Sequence, residues 1–309
     1  MAFLRAFGSH LPERRVGNEE IAPLVGATPE WILEVSGIEE RRFAADSDTV
    51  ASLGLLAAQN CLANAGKTAA DLGMILVASG SAPRFCPGPA GQISTGLGLV
   101  TTPALDIPVA SCGSLIGLAL AAELAAKFGP VLVIGAEIMS RCIELTPQGK
   151  DTAILFGDGA GACLVDPALG FARIADSILS TDGASAEILK IENGRIAMEG
   201  RSVILQAVRK IPRTLNELLA RNQLTPADPS AWLMHQANLN LIARVARSLR
   251  VPEGRFFVNL ARYGNTSSAS LLIAADEWRS AHAGALEGPL VLTAFGSGLN
   301  WGALLALPA

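Results

Sequence analysis

The sequence predicts an α/β protein built of two similar halves packed against each other, and three observations carry that prediction. The first is a repeat. Asp71-Leu-Gly-Met-Ile-Leu-Val-Ala-Ser-Gly80 pairs in pattern with Asp228-Pro-Ser-Ala-Trp-Leu-Met-His-Gln-Ala237, at an offset of 157 residues. Gly129-Pro-Val-Leu-Val-Ile-Gly-Ala136 pairs with Gly288-Pro-Leu-Val-Leu-Thr-Ala-Phe-Gly296, at an offset of 159. A register held over roughly sixty residues points to a duplicated domain, because solenoid units run only ~20–50 residues. The second is the alternation of short apolar strand-like runs with helical stretches. The third is composition: half of the 309 residues are apolar and 17% are charged, so most of the chain must be core. The Ser114–Lys127 helix, apolar on nearly all faces, suits burial between two sheet layers. We place the halves at residues 1–168 and 169–309, the first carrying Cys112 and the second His235 and Asn265.

The same composition excludes several classes of protein. The longest charge-free helical run, Gly113–Ala122, is far short of the ~20 residues of a membrane span, and Glu123 and Lys127 follow it. Arg5, Glu13, Arg14 and Arg15 interrupt any signal-peptide pattern. Five cysteines without a Cys-x-x-Cys spacing fit free thiols in a reducing cytoplasm and no structural metal. A net charge of −4 with no Lys/Arg run argues against a nucleic-acid partner. Gly157-Asp-Gly-Ala-Gly161 has the wrong spacing for a dinucleotide fingerprint and reads as a tight turn where backbones pack closely.

Three polar residues stand at strand-to-helix corners. Cys112 lies between the apolar run from Ala104 and a long Ala/Leu helix. A thiol at a helix N-terminus is expected to shift toward thiolate. His235 ends the run Ala231-Trp-Leu-Met and precedes an amphipathic helix, Leu239 to Leu249. Asn265 follows Gly264 and opens the small-residue start Thr266-Ser-Ser-Ala-Ser270. Each alone has a structural reading, as a small buried thiol, a hydrogen-bonded histidine and a turn asparagine. Equivalent halves facing each other would bring their corner edges together, where ligand sites often form.

These residues also carry a family resemblance. Cys112, His235-Gln-Ala-Asn238 and Tyr263-Gly-Asn265-Thr-Ser-Ser-Ala-Ser270 resemble the triad motifs of β-ketoacyl-acyl carrier protein synthase III, in the thiolase superfamily. Thr28-Pro-Glu-Trp31-Ile, Gly37-Ile-Glu-Glu-Arg41-Arg42, Phe156-Gly-Asp158-Gly-Ala-Gly161 and Phe295-Gly-Ser297-Gly-Leu-Asn-Trp301-Gly extend it from end to end. The resemblance implies a thiolase-like fold, with duplicated halves of five-stranded mixed sheet stacked as an α–β–α–β–α sandwich. It implies a homodimer with the Phe85–Ala90 segment near the twofold. Cys112, His235 and Asn265 would be the catalytic triad, and the backbone N–H groups of Cys112 and Ser297 the oxyanion hole. The implied reaction acylates Cys112 from a thioester, then condenses that acyl group with malonyl thioester on loss of CO₂. The alternative on the same fold is transfer of the acyl group to an oxygen or nitrogen nucleophile. No metal or organic cofactor is implied; the substrates ride on CoA or on acyl carrier protein.

Several positions depart from the family pattern. Trp31 matches the aromatic that stacks on the CoA adenine, but its partner arginine is Val35 here, and the second stacking arginine is Lys150. A carrier-docking arginine falls at Asn240, although Arg244 and Arg247 follow on the same helix. Arg201 stands for a pantetheine-contacting asparagine, Leu205 for a docking lysine, and Cys86 for the phenylalanine lent to the neighbouring subunit's acyl pocket. Pro108 lies in an extra residue between Asp106 and Cys112, which suggests a bulge before the nucleophile. With Phe295 also in the substrate site, these departures favour a wider acyl pocket over acetyl-CoA priming.

Overall fold

A computed structural model describes all residues from Met1 to Ala309. Ten strands make the main sheet: β1 (Ala2–His10), β2 (Met74–Ala78), β3 (Ala104–Ile107), β4 (Val131–Ile138), β5 (Asp158–Asp166), β6 (Ala172–Thr181), β7 (Ala231–Met234), β8 (Phe256–Phe257), β9 (Leu290–Gly296) and β10 (Asn300–Pro308). Their order is β8-β7-β9-β10-β6-β1-β5-β4-β2-β3. Strands β1 to β5 and β6 to β10 thus repeat one topology. In each half the second strand runs parallel to the third and fourth, and the remaining pairings are antiparallel. The register repeats as well: Met74 lies opposite Val131, and Ala231 opposite Leu290. Those are the positions that the sequence repeat aligns.

One feature differs from two separate five-stranded sheets. The first residues of β1 and β6 pair antiparallel, Ala2 with Ile174, Phe3 with Arg173 and Leu4 with Ala172. These are long strands whose free edges would otherwise expose unpaired backbone, and the short junction joins them.

Alternation along the strands sorts the apolar side chains into layers. Leu76 and Val133 join Leu233 and Leu292 in one central core, whereas Ile75 and Ile134 face an outer core and Trp232 and Val291 the opposite one. Six helices matter for the site: α1 (Pro29–Ser36), α2 (Val50–Ala65), α3 (Gly113–Phe128), α4 (Gly200–Arg221), α5 (Leu239–Leu249) and α6 (Ser270–Ala281). Helix α2 covers one outer face and α4 and α5 the other. Helices α3 and α6 lie between the halves, through Leu115, Leu118, Leu271 and Leu272, which completes the α–β–α–β–α stack. Neither central helix is buried throughout. Leu120 of α3 is 42% exposed, and α6 turns Glu277 and Arg279 outward after its buried first six residues.

A β-hairpin, Leu189–Glu192 with Arg195–Met198, reaches from the second half back to the first. Asn193 and Gly194, both at positive φ, make its tight turn. The Ile196 N–H donates to the Cys142 carbonyl, and Arg195 donates to that of Ile143. No helix is long and apolar enough to cross a membrane.

Candidate active site

The chain between β3 and α3 is bent more sharply than a simple bulge. Val109 N–H donates to the Ile107 carbonyl at 2.8 Å, and Cys112 N–H donates to the Ala110 carbonyl at 2.7 Å. Ser111, at the centre of the second turn, has φ of 63°, the strained form of a γ-turn. Cys112 then caps α3 and is fully buried. Gly296 on β9 makes the bend possible, since a Cβ there would lie 2.2 Å from the Ala110 oxygen. The thiol departs from its expected acidity. Burial pushes it up to about 12, with no neighbouring charge to offset the loss of water. Its nearest acceptor is the Ala294 carbonyl, 3.9 Å from Sγ.

His235 sits where β7 ends, its own N–H donating to the Thr293 carbonyl of β9. The Nδ1 atom lies 2.5 Å from Ser270 Oγ, which also accepts the Gln236 N–H at 3.2 Å. The hydroxyl proton of Ser270 has Nδ1 as its one acceptor, so Nδ1 is bare and Nε2 carries the imidazole hydrogen. Burial lowers the His235 pKa to about 3, which keeps the ring neutral. Gln236 fixes the loop behind it by donating to the Met234 and Phe257 carbonyls and accepting the Asn259 N–H.

Asn265 is gripped by the first half of the chain. Its N–H donates to the Leu155 carbonyl at 2.8 Å, and its carbonyl accepts the Gly157 N–H at 3.1 Å. The approach is close enough to require glycine on both sides: a Cβ on Gly157 would meet the Tyr263 oxygen at 2.4 Å, and Gly264 has φ of +64°. Side-chain Oδ1 accepts the Ser267 N–H at 2.9 Å, which leaves the Nδ2 donors free.

His235, Asn265, Phe295 and Ser297 line one cavity of about 70 Å³, closed on the nucleophile side by Ala110 and Ser111. Cys112 itself stays behind these two residues. A larger cavity of about 900 Å³ shares the Ala110, Ser297 and Lys190 wall and runs out past Phe85 and Asp106. Of the two expected oxyanion donors, Ser297 reaches both cavities, whereas Cys112 N–H is engaged by Ala110.

The expected substrate contacts fall in different places. Trp31 and Lys150 meet, with Nζ 4.9 Å from the ring centroid. Asn240 also meets the backbone at Val35. Asn240 Nδ2 donates to the Glu34 and Val35 carbonyls at the end of α1, and Asn238 adds a bond to Val35. Arg244 and Arg247 are exposed on α5, as are Arg201 and Leu205 on α4, apart from both cavities. Cys86 is exposed, and its neighbour Phe85, rather than Cys86, lines the large cavity. Sequence reasoning missed Ser267 and Ser270; the signal was the serine-rich run Thr266–Ser270 after Asn265, read only as a small-residue helix start.

Comparison with known proteins gives the geometry a family. The family model "3-oxoacyl-[acyl-carrier-protein] synthase III" matches residues 105–193, and that of its C-terminal part matches residues 219–307. The chain is 39% identical to the β-ketoacyl-[acyl-carrier-protein] synthase III of Oleidesulfovibrio alaskensis, over 98% of each chain, and 38% identical to that of Rhodobacter capsulatus. The crystal structure of 3-oxoacyl-[acyl-carrier-protein] synthase III from Aquifex aeolicus superposes with a TM-score of 0.95 at 32% identity, covering 99% of this chain and all of that one. The priming β-ketosynthase of the R1128 polyketide pathway superposes with a TM-score of 0.90 at 29% identity, over 100% of this chain and 96% of that one. With likeness at this level running from end to end, the chain belongs to the 3-oxoacyl-[acyl-carrier-protein] synthase III family.

Proposed function

We propose that this protein takes an acyl group from a CoA or carrier-protein thioester onto Cys112 and condenses it with a malonyl thioester to a 3-oxoacyl product. One observation carries the reading: the acceptor atoms of His235 and Asn265 are both tied back, Nδ1 to Ser270 and Oδ1 to Ser267. What remains toward the cavity is a pair of donors, Nε2–H and Nδ2. Two donors suit a developing enolate oxygen. They do not suit the alternative, acyl transfer to an oxygen or nitrogen nucleophile, which needs a base. An Nε2-protonated ring with a pKa of about 3 is a poor one.

In the first half-reaction the Cys112 sulfur bonds to the acyl carbon, the thioester C–S bond breaks, and the thiol proton ends on the departing thiol. The Ser297 N–H and the Cys112 N–H, exchanging the Ala110 carbonyl for the substrate oxygen, would hold the oxyanion. In the second half-reaction the malonyl C–COO⁻ bond breaks and its electron pair moves onto the thioester oxygen, held by His235 and Asn265. The resulting carbon attacks the acyl–Cys112 carbonyl. Cys112 leaves as thiolate and regains a proton from solvent. These steps draw on residues of the chain, the two thioester substrates and one proton from solvent.

The same reading assigns the large cavity to the acyl chain and Trp31 with Lys150 to the nucleotide end of CoA. It divides the duplicated halves at residues 168 and 169 and forms a homodimer along β3, an open edge strand with exposed Leu105 and flanking exposed Phe85 and Val100. The test is intact-protein mass spectrometry with a panel of acyl-CoA and acyl-carrier donors, followed by CO₂ release from malonyl thioester. Acylation at Cys112 with CO₂ release supports condensation; acylation without CO₂ release supports simple acyl transfer.

A further inference from the structure

Glu137, near the end of β4, is a fully buried carboxylate with no cation beside it. Six donors converge on it instead. Oε1 accepts the Ser267 hydroxyl at 2.9 Å and the Ser268 N–H at 3.2 Å. Oε2 accepts the Ser79 hydroxyl and both the N–H and hydroxyl of Ser81, and the Gly80 N–H is shared between the two oxygens. A buried carboxylate is costly unless its lone pairs are filled, and here they are filled by two separate segments, Ser79–Ser81 and Ser267–Ser268.

The Ser267 hydroxyl is the connection that matters. Its oxygen accepts the Ser111 N–H at 3.0 Å, at the strained turn before Cys112. An N–H can only donate, so the single hydroxyl proton of Ser267 must go to Glu137. The backbone N–H of the same serine holds Asn265 Oδ1. Ser267, itself at φ of 48°, thus ties the nucleophile corner to the asparagine corner, and Glu137 orients Ser267.

We infer that Glu137 is a positioning residue that, through Ser267, holds the Ser111–Cys112 turn and the Asn265 amide in mutual register, and joins both to the Ser79–Ser81 wall of the acyl cavity. It touches no reacting atom. The inference rests on the role proposed for Cys112 and Asn265. A glutamine cannot replace it, because either placement of its amide sets an NH₂ group against backbone N–H donors.

The experiment compares Glu137→Gln, Ser267→Ala and the double variant by two readouts. The first is the pH profile of Cys112 alkylation by iodoacetamide, followed by peptide mass spectrometry; the second is kcat and KM for the preferred acyl donor. Each single variant should speed alkylation at neutral pH by about tenfold, because the released turn uncovers the buried thiol, and lower kcat by about 10- to 100-fold, with KM within about twofold of wild type, as small misplacements of reacting groups do. The double variant should be no worse than the worse single one, since both break one chain of bonds. Ser267→Ala with wild-type alkylation and kcat would overturn the inference, as would losses that multiply in the double variant. Ser267→Ala keeps the carboxylate and five of its donors, so it decides the matter even where Glu137→Gln does not fold. Alkylation needs no condensation, so a wild-type protein that never releases CO₂ would sink the condensing reading and leave this test standing.

Discussion

Gly296 presses against Cys112: a Cβ on the glycine would lie 2.7 Å from the cysteine nitrogen. The repeat has a partner contact on the other side, where a Cβ on Gly135 would lie 2.4 Å from the Ser268 oxygen. Each half therefore slides a strand against the catalytic corner of the other. Gly296→Ala should force the Ala110–Cys112 turn out of place, destabilising the fold by about 1–3 kcal/mol and lowering kcat by about 10²-fold. Urea unfolding beside steady-state kinetics checks both, and a fully active Gly296→Ala enzyme would show that the turn is not needed as built.

The triad variants should separate the half-reactions. Cys112→Ala should form no acyl-enzyme in intact-mass spectra. His235→Ala and Asn265→Ala should still acylate but lose decarboxylation by about 10²- to 10³-fold each, the usual cost of an oxyanion donor. An Asn265→Ala enzyme that condensed malonyl at the wild-type rate would rule out the proposed enolate site.

Ser270→Ala removes the hydroxyl proton that keeps His235 protonated at Nε2. The free ring is then able to place its hydrogen on either nitrogen. We expect decarboxylation to fall by about tenfold or more while acylation of Cys112 changes less, because orientation of the donor is lost and not the donor itself. ¹⁵N chemical shifts of His235 would report the tautomer in the wild-type and variant proteins.

His235 should also make folding pH-dependent. Its folded pKa, about 3, lies below the ordinary histidine value, so between the two the unfolded chain binds a proton that the folded chain does not. The contribution is fully present above the unfolded pKa near 6.5 and is lost progressively as pH falls toward 3. The slope approaches ~1.4 kcal/mol per pH unit within that window. Urea denaturation between pH 7.5 and 5 should show this slope, and His235→Asn should flatten it.

Substrate choice should follow Trp31 and Lys150 for the carrier and the large cavity for the acyl chain. Lys150→Ala removes the cation over Trp31 and should raise KM for acyl-CoA by about two- to fivefold, from ~0.5–1 kcal/mol of cation–π energy, with carrier-protein donors less affected. Medium-chain donors should be preferred over acetyl by about one to two decades, at ~0.8 kcal/mol for each of two or three added methylenes. Cys86→Phe, through the ring it would lend to the neighbouring subunit's pocket in the proposed homodimer, should reverse part of that preference. Relative kcat/KM values across chain lengths and both carriers measure it, and a clear preference for acetyl-CoA would mean that the substitutions at 35, 86 and 150 leave selectivity alone.

The duplicated architecture was legible because a repeat in sequence is a repeat in register: the aligned residues Met74 and Ala231 pair with the aligned residues Val131 and Leu290. His235 and Asn265 were legible as polar residues at strand-to-helix corners in an apolar chain. The acidity of Cys112 was not, because helix position is local whereas loss of water depends on the whole surrounding fold. Ser267, Ser270 and Glu137 stayed hidden for a related reason. A serine among small residues, or a glutamate ending a strand, has no signature until its distant partners are in place. Asn240 looked like a lost docking arginine, and only the end of α1 explains what the amide does there.

The seam between the halves has one more consequence. Cys112 belongs to one half and His235 and Asn265 to the other, while the grip on Asn265 comes back from Leu155 and Gly157 of the first. Neither half holds a working constellation, and neither completes its own central core without α3 and α6 side by side. On the proposed reading, the site is complete only where the two halves meet. A chain clipped between its halves and separated should therefore carry Cys112 without the two donors proposed to work beside it, and should release no CO₂ from malonyl thioester.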